Sequence, residues 1–300
     1  MGAECVAVLI VVYALAVRTA PGQRFEDAVL RAANTLAGSA EQANALNTLD
    51  VITVPSVVAG VVVIFLVGVL RRRLFLAVTT VCMIAVALVT TEAIQHLTYR
   101  PILLSHGYRR EDQSFPSGHT TVAMALMCGL VLVVPYRVRG LAVAIGSLAA
   151  AGVGVATVTA SWHRPSDTVG ADLIVIGYAC AAVAIQARCG RVREAALPTA
   201  PGRALRAVLA GACATVAALA FAVAAAVVAV ALHASVPSTS GPAMLLAGRL
   251  LALSGSATVA VALLALLRHV DLGAPPADRP DEGSPDVESR PAGFHRPSGP

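Results

Sequence analysis

The stretch "VITVPSVVAGVVVIFLVGVL", residues 51–70, contains no charged side chain. A bilayer hydrocarbon core of about 30 Å is crossed by roughly 20 mostly apolar helical residues, so this run predicts a membrane-spanning helix. The same test, applied outward, finds further spans at 74–97, 119–136, 140–160, 167–187, 204–232 and 243–267. Residues 1–17 form a shorter apolar run that reads as a first span. Ala14-Leu15-Ala16 also suits a signal-peptide cleavage site, but the basic segment that normally opens a signal peptide is missing. The fold class is therefore an all-α membrane protein, a polytopic helical bundle of about eight spans. With 57% hydrophobic and 13% charged residues, the composition excludes an ordinary soluble globular protein.

Arginine orients the bundle. With the N-terminus in the cytoplasm, the inner connections collect Arg71, Arg72, Arg73, Arg137, Arg139, Arg188, Arg191, Arg193, Arg203 and Arg206 against the single acid Glu194. The outer connections carry mixed charge, with Glu26, Asp27, Glu41 and Asp50 against Arg18, Arg24 and Arg31. Segments 98–118, 161–166 and 233–242 then face outward. The net charge of +5 lies in short loops, where it sets topology and meets anionic headgroups, so it does not indicate nucleic-acid binding. The chain has no lysine, and its six cysteines lack metal-type spacing.

Along the chain, 1–190 reads as a six-span core and 191–203 as a cytoplasmic linker rich in Arg and Pro. An additional two-span hairpin follows at 204–267, then a disordered cytoplasmic tail at 268–300. Residues 18–50 show some helical periodicity through Phe25, Val29 and Leu36. They suit either a plain connector or an amphipathic helix lying on the membrane or over a site. Arg249, near an outer helix end, reads as a snorkelling side chain.

Three polar segments fall on the outer face: "EAIQHLTYRP" (92–101), "FPSGHTT" (115–121) and "WHRPSD" (162–167). Ser117 suits a helix N-cap, and the exposed N–H groups of the following turn suit a phosphate. Gly118 allows close approach to the backbone, and Arg100 adds a guanidinium fork. His119 and His163 supply two imidazoles, one able to act as nucleophile and the other as acid. Asp167, four residues after His163, is spaced to fix its tautomer. Zinc held by His119, His163, Asp167 and Glu92 is a competing arrangement, against which the cap and Arg100 favour an anion. His96 and Asp172 near outer span ends, and His106 in the outer loop, carry no assigned role.

Together, "PSGH", the downstream His-x3-Asp and the upstream Arg-Pro resemble the type-2 phosphatidic acid phosphatase superfamily, which also includes vanadium haloperoxidases. The resemblance covers roughly 90–180. It implies a metal-independent phosphomonoesterase or diphosphatase with no cofactor, acting on a lipid phosphate or polyprenyl diphosphate at the extracytoplasmic face. His163 would attack phosphorus, His119 would protonate the leaving oxygen, and water would hydrolyse the phosphohistidine. Ser117, Gly118 and Arg100 would hold the phosphoryl oxygens. Two expected cations are absent: Ala93 stands at the first-motif lysine, with Gln95 the nearest polar residue, and Ala156 and Thr157 stand at the third motif's Ser-Arg. Arg164, Arg109 and Arg110 are candidate replacements. The alternative is a catalytically weak or inactive relative that binds phospholipid or assists membrane assembly. A transporter fits less well, because the inner half shows no charged pathway.

Overall fold

The computed structural model describes residues 2–104, 114–195, 200–233 and 241–274. Among these it has ten α-helices and one small sheet. Helix α1 (Gly2–Val12) runs into a π-helical turn (Tyr13–Val17), followed by α2 (Ala20–Asn34), α3 (Ala40–Asp50), α4 (Val54–Leu70) and α5 (Leu74–Leu97). Then come α6 (Gly118–Val133), α7 (Arg139–Thr159), α8 (Pro165–Arg188), strand β1 (Val192–Glu194), α9 (Ala200–His233), α10 (Gly241–Leu266) and strand β2 (Val270–Leu272).

The protein is an all-α polytopic membrane protein. Five described helices are long and apolar enough to cross a bilayer, or up to seven if the bent pairs around α1–α2 and α3–α4 each count as one span. Helix α6, with 16 residues, rises only about 24 Å, shorter than the 119–136 run. Its C-cap Val134 is followed by Pro135, which cannot supply the N–H that another helical turn needs.

Start signals agree with the chain's chemistry. Thr53 and Ser56 form a reciprocal capping box at α4, and the Ser117 hydroxyl accepts from Thr120 N at α6 (3.3 Å). At α8, Pro165 takes the first position, and the Asp167 carboxylate accepts from Arg164 N at 2.9 Å. The main core joins α5, α6, α8 and α10 through residues such as Ile84, Met124, Cys128, Val175 and Leu263.

The last two helices play unequal parts. Helix α10 packs on α7, α8 and α2, and buries Met244, Leu245, Ala252 and Leu263. Helix α9 stays on the outside, with 11% of its apolar window buried. Over the expected two-span hairpin, 204–267, α9 and α10 pack on each other, and α10 is also part of the core. Apolar composition cannot distinguish these roles, because lipid and protein interior favour the same side chains. Arg249 of α10 pairs with Glu41 of α3 at 2.6 Å, so it is tied to the protein as well as placed near a helix end.

One end of the bundle is closed by the sheet. β1 and β2 pair antiparallel, with Val192 opposite Leu272, Arg193 opposite Asp271 and Glu194 opposite Val270. Part of the expected linker and the first residues of the expected tail therefore hold each other. Residues 196–199 and 275–300 lie outside the described residues. The Arg73 guanidinium grips both Asp271 oxygens at 2.7 Å, and Arg139 Nη1 donates to Val270 O at 2.6 Å. Arg73 holds the Asp271 carboxyl below the usual carboxylate range, against the upward pull of burial.

Because that carboxyl is depressed, its contribution is present above the ordinary aspartate pKa of about 3.9 and lost as pH falls through the lower folded value. Asp271→Asn should lower stability by about 1–2 kcal/mol at pH 7. The gap to the unmutated protein should close toward pH 3, as read by thermal unfolding in detergent at both pH values.

Candidate active site

The site lies at the other end, where α5, α7 and α9 finish and α6, α8 and α10 begin. After α7 the chain turns back through Ser161, in the left-handed region at φ 59°. The turn lets Trp162 N and His163 N both donate to Thr157 O (3.0 and 3.2 Å). Thr157 is one of the two positions lacking the expected Ser-Arg. It serves through its backbone, while its hydroxyl donates to Gly154 O at 2.8 Å.

Asp167 is the centre of the arrangement and is fully buried. Its Oδ2 accepts from Arg164 N at 2.9 Å and from Ser114 Oγ at 2.6 Å, and faces His163 Nδ1 at 3.4 Å. His163 Nδ1 also faces Ser114 O at 3.2 Å. Both neighbours of Nδ1 are acceptors, so the ring proton sits there and the Nε2 lone pair is left unprotonated. Asp167 O accepts from Ser117 N at 2.9 Å, which ties the start of α8 to the start of α6.

At α6 a Cβ placed on Gly118 would meet nothing within 4 Å among the described residues, which leaves the helix N-terminus there room for a ligand. His119, half-buried, lies with its ring 5.3 Å from that of Trp162, the residue before His163. Both imidazoles therefore belong to one end of the bundle. Beneath them Phe115 packs on Gly170, where a Cβ would come within 2.6 Å of the ring.

The two arginines behave differently from a simple fork. Arg100 pairs with Glu26 of α2, whose other oxygen accepts from Ser166 N at 3.3 Å. Arg100 Nη1 is buried without a hydrogen-bond partner among the described residues. Arg164 Nη1 donates to Ser114 Oγ at 3.1 Å, and its Nη2 lies 3.9 Å from Asp27. Burial pulls the Arg164 guanidinium below its usual pKa, and nearby Arg100 pushes the same way, so two cations converge here. Gln95 donates to Pro116 O at 2.5 Å and holds the loop before α6. It supports backbone and supplies no charge.

Helix α2 is the largest contribution that sequence reading left unassigned. Gln23, Glu26 and Asp27 are all buried, and Gln23 Nε2 donates to Pro101 O at 2.6 Å. The stripe 23, 26, 27, 30 and 33 is buried along one face, at i, i+3, i+4 spacing, polar at its start and apolar at its end. That pattern was visible, but the periodicity of Phe25, Val29 and Leu36 marked a neighbouring face. Ser114 had no signal, since its role depends on Asp167 from a distant helix.

Glu92 pairs with exposed His96 at 2.8 Å and does not join the histidines. No three metal-ligating side chains gather among the described residues. Asp172 lies deeper in α8 and accepts from Ser256 of α10 at 3.2 Å. His106, Arg109 and Arg110 lie outside the described residues.

Residues 89–193, about a third of the chain, match the family model described as the PAP2 superfamily. The motif resemblance is thus shown over that segment, and what it supports is a phosphatase-like function in general within a multi-pass membrane protein. No curated protein and no solved structure matches the chain.

Removing Glu26 should leave Arg100 as a buried charge without its counterion. Glu26→Ala is expected to destabilise the protein by about 3–5 kcal/mol, measured by chemical unfolding in detergent.

Proposed function

We propose that the protein is an integral membrane phosphatase that hydrolyses a lipid phosphate or polyprenyl diphosphate at the extracytoplasmic face. The observation that carries this reading is the His163 ring, whose Nδ1 faces the Asp167 carboxylate and Ser114 O. Its Nε2 lone pair attacks phosphorus, forming an N–P bond as the P–O bond to the leaving group breaks. His119 donates a proton to the departing oxygen. Water then attacks phosphorus, His119 takes a proton from it, and the N–P bond breaks to release phosphate and restore His163.

The open N-terminus of α6 at Ser117 and Gly118 offers N–H groups to the phosphoryl oxygens, with Arg100 and Arg164 as the nearby cations. No metal or cofactor takes part in this sequence of steps. An apolar groove supports a lipid rather than a water-soluble ester. A cavity of about 950 Å³ is lined by α1, α8, α9 and α10, with Glu26 and Ser166 among its lining residues. Along α8 the lining runs from Pro165 to Ile176, about 17 Å at 1.5 Å per residue. The arginine distribution supports the outward orientation of the site, with the tail in the cytoplasm. The division into a 1–190 core, a 191–203 linker, a 204–267 hairpin and a 268–300 tail belongs to the same proposal, with α10 packed into the core.

A second reading, a weak or inactive relative that binds phospholipid, is favoured by Ala93, Ala156 and Thr157 at motif positions and by the Glu26 grip on Arg100. Each missing charge-assisted hydrogen bond is worth about 1.5–3 kcal/mol, roughly tenfold to a hundredfold in rate.

Phosphate release by purified protein is the deciding measurement, on a panel of phosphatidic acid, phosphatidylglycerol phosphate and undecaprenyl diphosphate. Turnover on at least one should survive EDTA and fall about 1,000-fold or more in His163→Ala. Arg164→Ala should lower it at least tenfold. Release from none of the panel favours the second reading, while loss on EDTA with recovery on zinc favours a metal site.

A further inference from the structure

At the end of the bundle opposite the candidate active site, a second cavity of about 420 Å³ lies against α7, α9 and the end of α10. Its polar lining is Tyr136, Arg139, Arg203, Arg206, Arg268 and His269, with no carboxylate lining it among the described residues. We infer that this cavity binds the phosphate of an anionic phospholipid.

Arg139 carries the argument. It is 3% exposed, its Nε donates to Val131 O at 3.2 Å and its Nη1 to Val270 O at 2.6 Å, while Nη2 is buried with no partner. A buried guanidinium donor left unpaired is costly, and the described chain supplies no acceptor for it. His269 adds a second such group. Its Nε2 accepts from Arg268 Nε at 3.1 Å, so the ring proton sits on Nδ1, which is also buried without a partner among the described residues. Two unsatisfied donors therefore border one cavity, alongside three further guanidinium groups. The nearby acid, Asp271, is already gripped by Arg73 through both oxygens at 2.7 Å, with Arg71 at 3.8 Å.

The shape of the site selects a lipid. Arg139 opens α7, Arg203 and Arg206 lie in the first turns of α9, and Arg268 follows α10. All four stand at helix ends, the depth at which headgroups sit. Arg206 is held over the Tyr136 ring at 3.6 Å, an amphipathic pair suited to that interface. The remaining wall is apolar, from Ala207 and Ala210 of α9 to Leu264 and Ala265 of α10, and α9 is mostly exposed along its length. A free anion would need the arginines alone, whereas a phospholipid uses the arginines for its phosphate and the apolar wall for its chains.

The test is lipid retention by the full chain in phosphatidylcholine nanodiscs doped with phosphatidylglycerol, read by native mass spectrometry. Phosphatidylglycerol should be retained at least tenfold over phosphatidylcholine. Retention should fall about tenfold in Arg203→Gln/Arg206→Gln and several-fold in the independent Arg268→Gln, with helical content by circular dichroism unchanged. Arg31→Gln, at an exposed position on α2, should leave retention as it was. The inference is overturned by equal retention of the two lipids, by phosphatidylglycerol retention indifferent to the Arg203, Arg206 and Arg268 changes, or by an equal loss in Arg31→Gln. Inorganic phosphate is the control for source: displacement of the lipid at low millimolar phosphate would assign the cavity to a free anion and overturn the lipid reading.

Discussion

A carboxylate buried inside a membrane bundle persists only when donors surround it, and Asp167 gathers them from two separate stretches of chain. The Arg164 amide and the Ser114 hydroxyl approach the same oxygen that faces His163 Nδ1. The Asp167 carbonyl meanwhile receives Ser117 N. One residue thus fixes the entry of α8, the loop before α6 and the tautomer of an imidazole. Loss of that charge would release all three together, because each is held by the same group.

Above this network α2 acts as a polar clamp. Glu26 reaches both Arg100 and the first turn of α8, and Gln23 holds the carbonyl of Pro101. Two arginines brought close in a low-dielectric setting repel each other strongly, and the α2 acids Glu26 and Asp27 offset that repulsion. At or near the motif positions that lack cations stand groups with backbone roles. Thr157 O receives the turn after α7, and Gln95 supports the Pro116 carbonyl. The charge balance at this end is therefore set by residues from outside the 89–193 segment as much as by those within it.

The two ends of the bundle divide the charge. At one, acids and arginines pair around two histidines. At the other, arginines outnumber acids, and a short sheet with Asp271 ties β1, β2 and Arg73 together. Helix α10 connects the ends: its start packs on α2 near the clamp, and its end borders the arginine-lined cavity.

Much of this was legible in the chain alone. Apolar runs of about twenty residues dictated helices, since a single segment satisfies its own backbone hydrogen bonds within lipid only as a helix. Ser117 marked a helix start through capping chemistry local to a few residues. His163 and Asp167, one helical turn apart, announced their own contact. What tertiary structure decided was every pairing between distant segments. Ser114 meets Asp167, Glu26 takes Arg100, α10 enters the core while α9 stays outside it, and residues 270–272 pair with 192–194. The physical reason is that hydropathy and capping act over a turn or two of helix. Which buried polar group finds which partner depends on how whole helices pack, and in a chain this apolar the packing faces look alike in sequence.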